Sequence, residues 1–183
     1  MKILAISGST KPNSTSHKIL NHIKLKFENI FELEIFDGIE KLPHFNPSIT
    51  DEELPREVLD FRNRIVNADG IIFCTPEYVF SIPGSLKNAI EWCVSTTIFS
   101  HKPTAMIIAA ASGEKAFESL SLILTTIETV LPEESKLLIQ GAKGKVNTNG
   151  EITDSDTLEQ IERVIQSLMS TIKDEDKRPT KLR

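Results

Sequence analysis

Apolar and polar positions along the chain follow two rhythms. Short, nearly continuous apolar runs mark strands, and apolar residues spaced by three and four mark helices. Residues 3–7 run Ile3, Leu4, Ala5, Ile6, Ser7 and stop at a Gly-Ser turn, which predicts a buried strand. Residues 16–27 place Ile19, Leu20, Ile23 and Phe27 on one helix face. Residues 31–36 alternate through Phe31, Leu33 and Ile35, a second strand more exposed on one side. Pro55 opens a helix over 56–66 whose apolar residues are Val58, Leu59, Phe61, Ile65 and Val66. Residues 71–74 are wholly apolar after an Asp69-Gly70 turn, as a central parallel strand should be. Pro83-Gly84 opens a helix over 84–94 through Leu86, Ala89, Ile90 and Cys93. The remaining elements are a strand over 105–111, a helix over 116–131 stopped by Pro132, a strand over 137–139 and a helix over 154–169 capped by Asp154.

Five strands separated by helices predict an α/β fold, a parallel sheet covered on both faces. Right-handed crossovers leave few topologies, and the expected one is the flavodoxin-like three-layer sandwich with strand order 2-1-3-4-5. A ligand in such a sheet sits beyond the carboxyl ends of the strands, where the strand order reverses. The loops after strands one, three and four are therefore the places to look for chemistry. One domain is expected over residues 1–172, with a polar tail over 173–183.

Composition narrows the function classes. The chain has 183 residues, 21 basic and 26 acidic, for a net charge of −5, so a general nucleic-acid binder is not expected. Two cysteines, Cys74 and Cys93, are too few for a disulfide framework and are expected reduced and buried. The first apolar run is too short for a signal peptide, and no run approaches the ~20 apolar residues of a membrane span. A cytoplasmic protein is expected, with no membrane partner. The four histidines form no metal-ligand spacing, and no Walker A loop, G-x-G-x-x-G or G-x-S-x-G motif is present.

The loop after strand one, Gly8 to His17, carries Ser9, Thr10, Ser14, Thr15, Ser16 and Lys11. Hydroxyls and helix N-terminal N–H groups donate to a phosphate, and the helix dipole favours the anion. A serine-rich helix cap with no ligand would have the same composition. After strand three the chain reads Thr75-Pro76-Glu77-Tyr78-Val79-Phe80-Ser81-Ile82-Pro83-Gly84-Ser85-Leu86-Lys87-Asn88-Ala89-Ile90-Glu91-Trp92. Pro76 and Pro83 stiffen this loop. The Glu77 and Tyr78 N–H groups are candidate donors to a flat ring, with Tyr78 as an aromatic wall. Tyr78 and Trp92 are also residues of the kind that pack or meet a second subunit. After strand four, Ser112 and Gly113 form a short turn that either approaches a ligand or only connects strand to helix.

The stretch after strand three resembles the signature of the NAD(P)H-dependent FMN reductase family, which includes quinone, azo and chromate reductases. Its pattern is roughly P-E-Y-N-x-S-x-P-G-x-L-K-N-A-I-D-W. Pro76, Glu77, Tyr78, Ser81, Pro83, Gly84, Leu86, Lys87, Asn88, Ala89, Ile90 and Trp92 match it. The first loop resembles the family's G-S-x-R-x-x-S-x-N phosphate site through Gly8, Ser9 and Ser14, with Lys11 for Arg and Ser16 for Asn. Residues 42–47 resemble the family's linker before the second helix, and the likeness extends over residues 1–140. Val79 stands where Asn is usual, which removes an amide near the ring, and the Ser112-Gly113 turn is shorter than the family's.

The resemblance implies FMN as cofactor, bound by Ser9, Lys11, Ser14, Thr15, Ser16, Pro76, Glu77, Tyr78, Val79, Ser112 and Gly113. It implies hydride transfer from NADPH or NADH to FMN and then to a small-molecule acceptor such as a quinone, azo compound or free flavin. No side-chain acid or base is implied. Lys11 is also a candidate to read a nicotinamide 2′-phosphate. A homodimer or homotetramer is implied, with the helix over 84–94 as contact element. The alternatives are an FMN-binding electron carrier and an interaction module without enzymatic activity.

Overall fold

The computed structural model describes residues 1–36, 38–147 and 149–176. Strands β1 (Lys2–Ser7), β2 (Glu32–Phe36), β3 (Gly70–Thr75), β4 (Thr104–Ala109) and β5 (Lys136–Ile139) form one parallel sheet in the order β2-β1-β3-β4-β5. Of the three interior strands, β3 and β4 are buried at every position and β1 at all but Lys2, while the edge strands β2 and β5 are only partly buried. That contrast was visible in the sequence as continuous against alternating apolar runs.

Helices α1 (Thr15–Lys26), α2 (Arg56–Val66), α3 (Gly84–Glu91), α4 (Glu114–Thr126), α5 (Ala142–Lys145) and α6 (Ser155–Asp176) cover the sheet. The pleat divides the core in two. Ile3 and Ala5 face α1 and α6, while Leu4 and Ile6 face α2, α3 and α4. The chain first steps from β1 to β2, then hops back past β1 to β3. Right-handed crossovers in opposite directions put α1 and α2 on opposite faces. The reversal opens a crevice between the carboxyl ends of β1 and β3.

Several elements end differently from their sequence patterns. In α2, Val58, Phe61 and Ile65 are buried, but Leu59 and Val66 are exposed, because an outer-layer helix buries one stripe only. Helix α3 ends at Glu91, before the expected residue 94. Helix α4 ends five residues before Leu131, not at Pro132. Its last turn closes with Thr129 N–H on Leu124 O and Glu128 N–H on Thr125 O, with Glu128 at φ +62°. Tertiary pairing decides this stop: His101 N–H donates to Glu128 O, and Thr104 N–H to Val130 O. Asp154 does cap α6 through Thr157 N–H at 2.9 Å, but α6 runs on to Asp176, into the expected tail; residues 177–183 lie outside the described residues.

Candidate active site

Gly8 sets the first loop. Its N–H donates to Cys74 O at 2.9 Å, and a Cβ there would lie 2.1 Å from Thr75 Oγ1. Only glycine lets the loop rest on the end of β3. Ser9 Oγ then accepts from Lys11 N–H at 3.2 Å, and Ser14 Oγ caps α1 by accepting from His17 N–H at 3.2 Å. The Ser14 hydroxyl proton stays available to a ligand, so capping and anion binding coexist. By position the Thr15 and Ser16 N–H groups have no intrahelical acceptor.

Ser16 Oγ is the informative atom. Ser16 is 1% exposed, and its hydroxyl has no hydrogen-bond partner. Burial pushes the neighbouring Cys74 thiol up to about 12, with the Ser16 hydroxyl acting in the opposite direction. A buried hydroxyl without a partner is costly. The oxygen is closed to the cleft as well as to solvent.

The second loop is held by its own residues. The Glu77 carboxylate accepts from Gly113 N–H at 3.3 Å and Ala116 N–H at 3.0 Å, so it caps α4 and ties the loop after β3 to the loop after β4. A carboxylate at a helix N-terminus is stabilised by the dipole as well as by the bonds. Glu77 is thus a positioning residue through its side chain. Its own N–H makes no hydrogen bond among the described residues.

The expected role of the Tyr78 N–H is corrected. It donates to Ser81 O at 2.9 Å, and Ser81 N–H returns to Tyr78 O at 3.1 Å. Between them Val79 and Phe80 have φ of +51° and +56°. This is the pairing and φ pattern of a type I′ turn, which Asn-Gly normally occupies. Val79 and Phe80 are 95% and 79% exposed, so burial does not compensate this backbone. The Asn usual in the family at position 79 is a residue that tolerates positive φ.

The rest of the signature is scaffold. The Asn88 side chain accepts from Phe45 N–H at 2.8 Å and donates to Pro43 O at 3.0 Å. Trp92 Nε1 donates to the same Pro43 O at 2.7 Å, and its ring meets Phe45 edge-on. Trp92 is 1% exposed, a packing residue that fastens the linker over 42–47. Leu86, Ala89 and Ile90 are buried beneath it. Cys93 is free and buried, and burial pushes its thiol up to about 12.

These loops enclose a cleft of about 440 Å³. Ser9, Lys11, Ser14, Thr15, Ser16, Pro76 and Tyr78 line it. Glu77, Val79, Ser112 and Gly113 do not. Ser112 is exposed, and Gly113 starts α4 at φ +90° with its N–H on Glu77, so its glycine has a conformational reason. Asn13, Lys18, Ala109, Lys143, Val146 and Asn147 also line the cleft. Sequence reasoning missed Lys143, Val146 and Asn147 because they follow β5 and lie far along the chain. The signal that points to them is topological: β5 also ends on this side of the sheet. Among the described residues no carboxylate lines the cleft, although acidic residues outnumber basic ones in the chain. No metal-binding cluster occurs among the described residues.

The profile of the NADPH-dependent FMN reductase family matches residues 1–144. The chain belongs to that family. The NADH-dependent flavin reductase subunit 2 of Lactobacillus johnsonii is 30% identical, over 97% of this chain and 100% of that one. The quinone reductase of Escherichia coli is 24% identical, over 88% of this chain and 89% of that one. The crystal structure of FerB, a flavoenzyme NAD(P)H:(acceptor) oxidoreductase from Paracoccus denitrificans, superposes with a TM-score of 0.83 at 26% identity, covering 94% and 97% of the two chains. As an NAD(P)H-dependent FMN reductase the protein is an oxidoreductase, with FMN as cofactor. A cleft lined by hydroxyls and lysines and, among the described residues, by no carboxylate fits a phosphorylated ligand.

Proposed function

We propose that this FMN reductase holds FMN in the cleft at the switch point and passes electrons to a small planar acceptor such as a quinone, an azo compound or free flavin. The observation that carries the reading is a cleft at the carboxyl ends of the strands lined by hydroxyls and lysines and, among the described residues, by no acid. FMN supplies the redox chemistry when bound, taking a hydride from NAD(P)H and giving it up to the acceptor. Ser9, Lys11, Ser14, Thr15 and Ser16 hold the phosphate. Pro76 and Tyr78 form the wall beside the ring, and the Glu77 N–H is the donor to its edge. The Glu77 carboxylate keeps that wall in place through Gly113. Among the described residues no carboxylate, imidazole or thiol lines the cleft, so the side chains bind and orient.

The exposed Tyr78-Val79-Phe80 tip supports a homodimer or homotetramer that covers it together with α3. No helix among the described residues is long and apolar enough to cross a membrane. A cytoplasmic setting is consistent with two free cysteines.

The test is a visible spectrum of the purified protein, before and after FMN and then NADPH without oxygen. The reading expects a flavin band that shifts on binding and bleaches with NADPH, and steady NADPH oxidation once a quinone is added. A bound flavin that stays oxidised points to a carrier. No binding at saturating FMN overturns the cofactor site.

A further inference from the structure

Beyond the loops that carry the family signature, the wall formed by the segment after β5 adds charge to the cleft. Gly141 N–H donates to Ala111 O and Ala142 N–H to Ala110 O, both at 3.1 Å, which docks the segment on the end of β4. The chain then returns on itself. Val146 bridges Ile152, Asn147 N–H donates to Glu151 O at 2.9 Å, and Thr153 N–H donates to Lys145 O at 2.9 Å. Val146 and Ile152 are buried with the α1 and α6 side of the core. Lys18 Nζ, on α1, donates to Asn147 O at 3.0 Å and fastens this wall to the first loop's helix. The wall is therefore anchored by backbone bonds, by core packing and by α1.

Lys143 lines the cleft from this wall, and Lys11 lines it from the first loop. Neither makes an ion pair among the described residues, whereas Lys145, two positions on, pairs with Asp154 at 3.6 Å. With Lys18 they bring three cations to a cleft that no carboxylate lines among the described residues, and like charges on one cleft repel unless an anion sits between them. Lysine at position 11 also gives a point charge and no bidentate fork, which leaves a dianion incompletely matched.

We propose that Lys143 is a specificity-determining residue: with Lys11 it clamps the phosphate monoester of the flavin and makes the site choose FMN over the unphosphorylated ring. The proposal rests on the reading that this cleft holds FMN. Lys143 neutralises the second charge of the phosphate from the wall that follows β5. Lys18 is a positioning residue that acts through Asn147.

The experiment titrates the apoprotein with FMN and, separately, with riboflavin, following quenching of flavin fluorescence. Lys143→Gln weakens FMN binding about tenfold, the order of one charge-assisted contact, and leaves riboflavin binding unchanged. It also flattens the dependence of FMN affinity on salt. Lys143→Arg restores most of the preference, and Lys145→Gln leaves it intact. Lys143 is exposed, so the substitution leaves the fold in place. The proposal is overturned if K143Q leaves FMN affinity unchanged, weakens both ligands equally, or is matched by K145Q. A wild-type apoprotein that binds neither ligand overturns the FMN reading itself.

Discussion

Val79 offers a test that separates two explanations of one position. It sits at φ +51° in the first central place of the turn between Tyr78 and Ser81, with its side chain 95% exposed. A β-branched residue in the left-handed region costs roughly 1–2 kcal/mol. Val79→Asn keeps a side chain that tolerates this backbone, so it recovers about half, ~0.5–1 kcal/mol. Val79→Gly removes the whole strain but loosens the unfolded chain by roughly 0.5–1 kcal/mol, for a similar net gain. No burial is lost in either. In a chain of this length 1 kcal/mol corresponds to roughly 2–4 °C in Tm. The assay is thermal unfolding of the apoprotein at two concentrations tenfold apart, so that self-association through the exposed tip separates from the turn itself. Both variants raise Tm by about 1–4 °C at the lower concentration. If both lower it, position 79 carries no backbone strain and the reasoning fails. If the turn alone is at stake, V79N and V79G shift FMN affinity alike. An effect on FMN unique to V79N would return the role to the amide beside the ring.

Other outcomes follow from the same contacts. Glu77→Ala removes two bonds at the start of α4 and lowers stability by about 1–2 kcal/mol in urea unfolding, with Glu77→Gln intermediate because the amide still accepts once. FMN affinity falls with it, since the loop after β3 loses its tie to α4. Gly8→Ala costs about 3 kcal/mol, the upper end of overpacking, and Thr75→Ala does not rescue it, because the Thr75 Cβ also lies 2.4 Å from the added atom. His22 is held below its ordinary pKa of 6.5 by burial, then by Lys26, against a smaller pull from Glu162. The unfolded chain therefore takes up the proton first, so this residue's contribution to stability falls as pH drops below about 6.5 and levels off beneath the folded pKa. In His22→Leu, denaturation between pH 5 and 7 shows a flatter dependence.

The sheet was legible because its signals are local. Continuous apolar runs at Ile71–Cys74 and alternation at Phe31–Phe36 state how many faces a strand buries, and hydroxyls after β1 state what a helix start can hold. The handedness of crossovers left few strand orders, and the flavodoxin-like one chosen among them is the one observed. The sequence by itself therefore determined the layers, the crevice and the hydroxyl-rich loop beside it. Only the tertiary structure decided which groups meet there. Glu77 finds Gly113 and Ala116 across 36 and 39 positions, and Lys18 finds Asn147 across 129, with no periodicity linking them. Helix α4 stops at Thr126 because Glu128 and Val130 pair with the chain at 101–104, overriding a propensity that runs on to Pro132. The Tyr78 N–H, free to donate in a linear reading, is consumed by a turn only two residues wide. Side-chain periodicity records burial against a neighbouring layer. It carries no record of which donor a given acceptor finds, because that depends on where the sheet brings distant loops together.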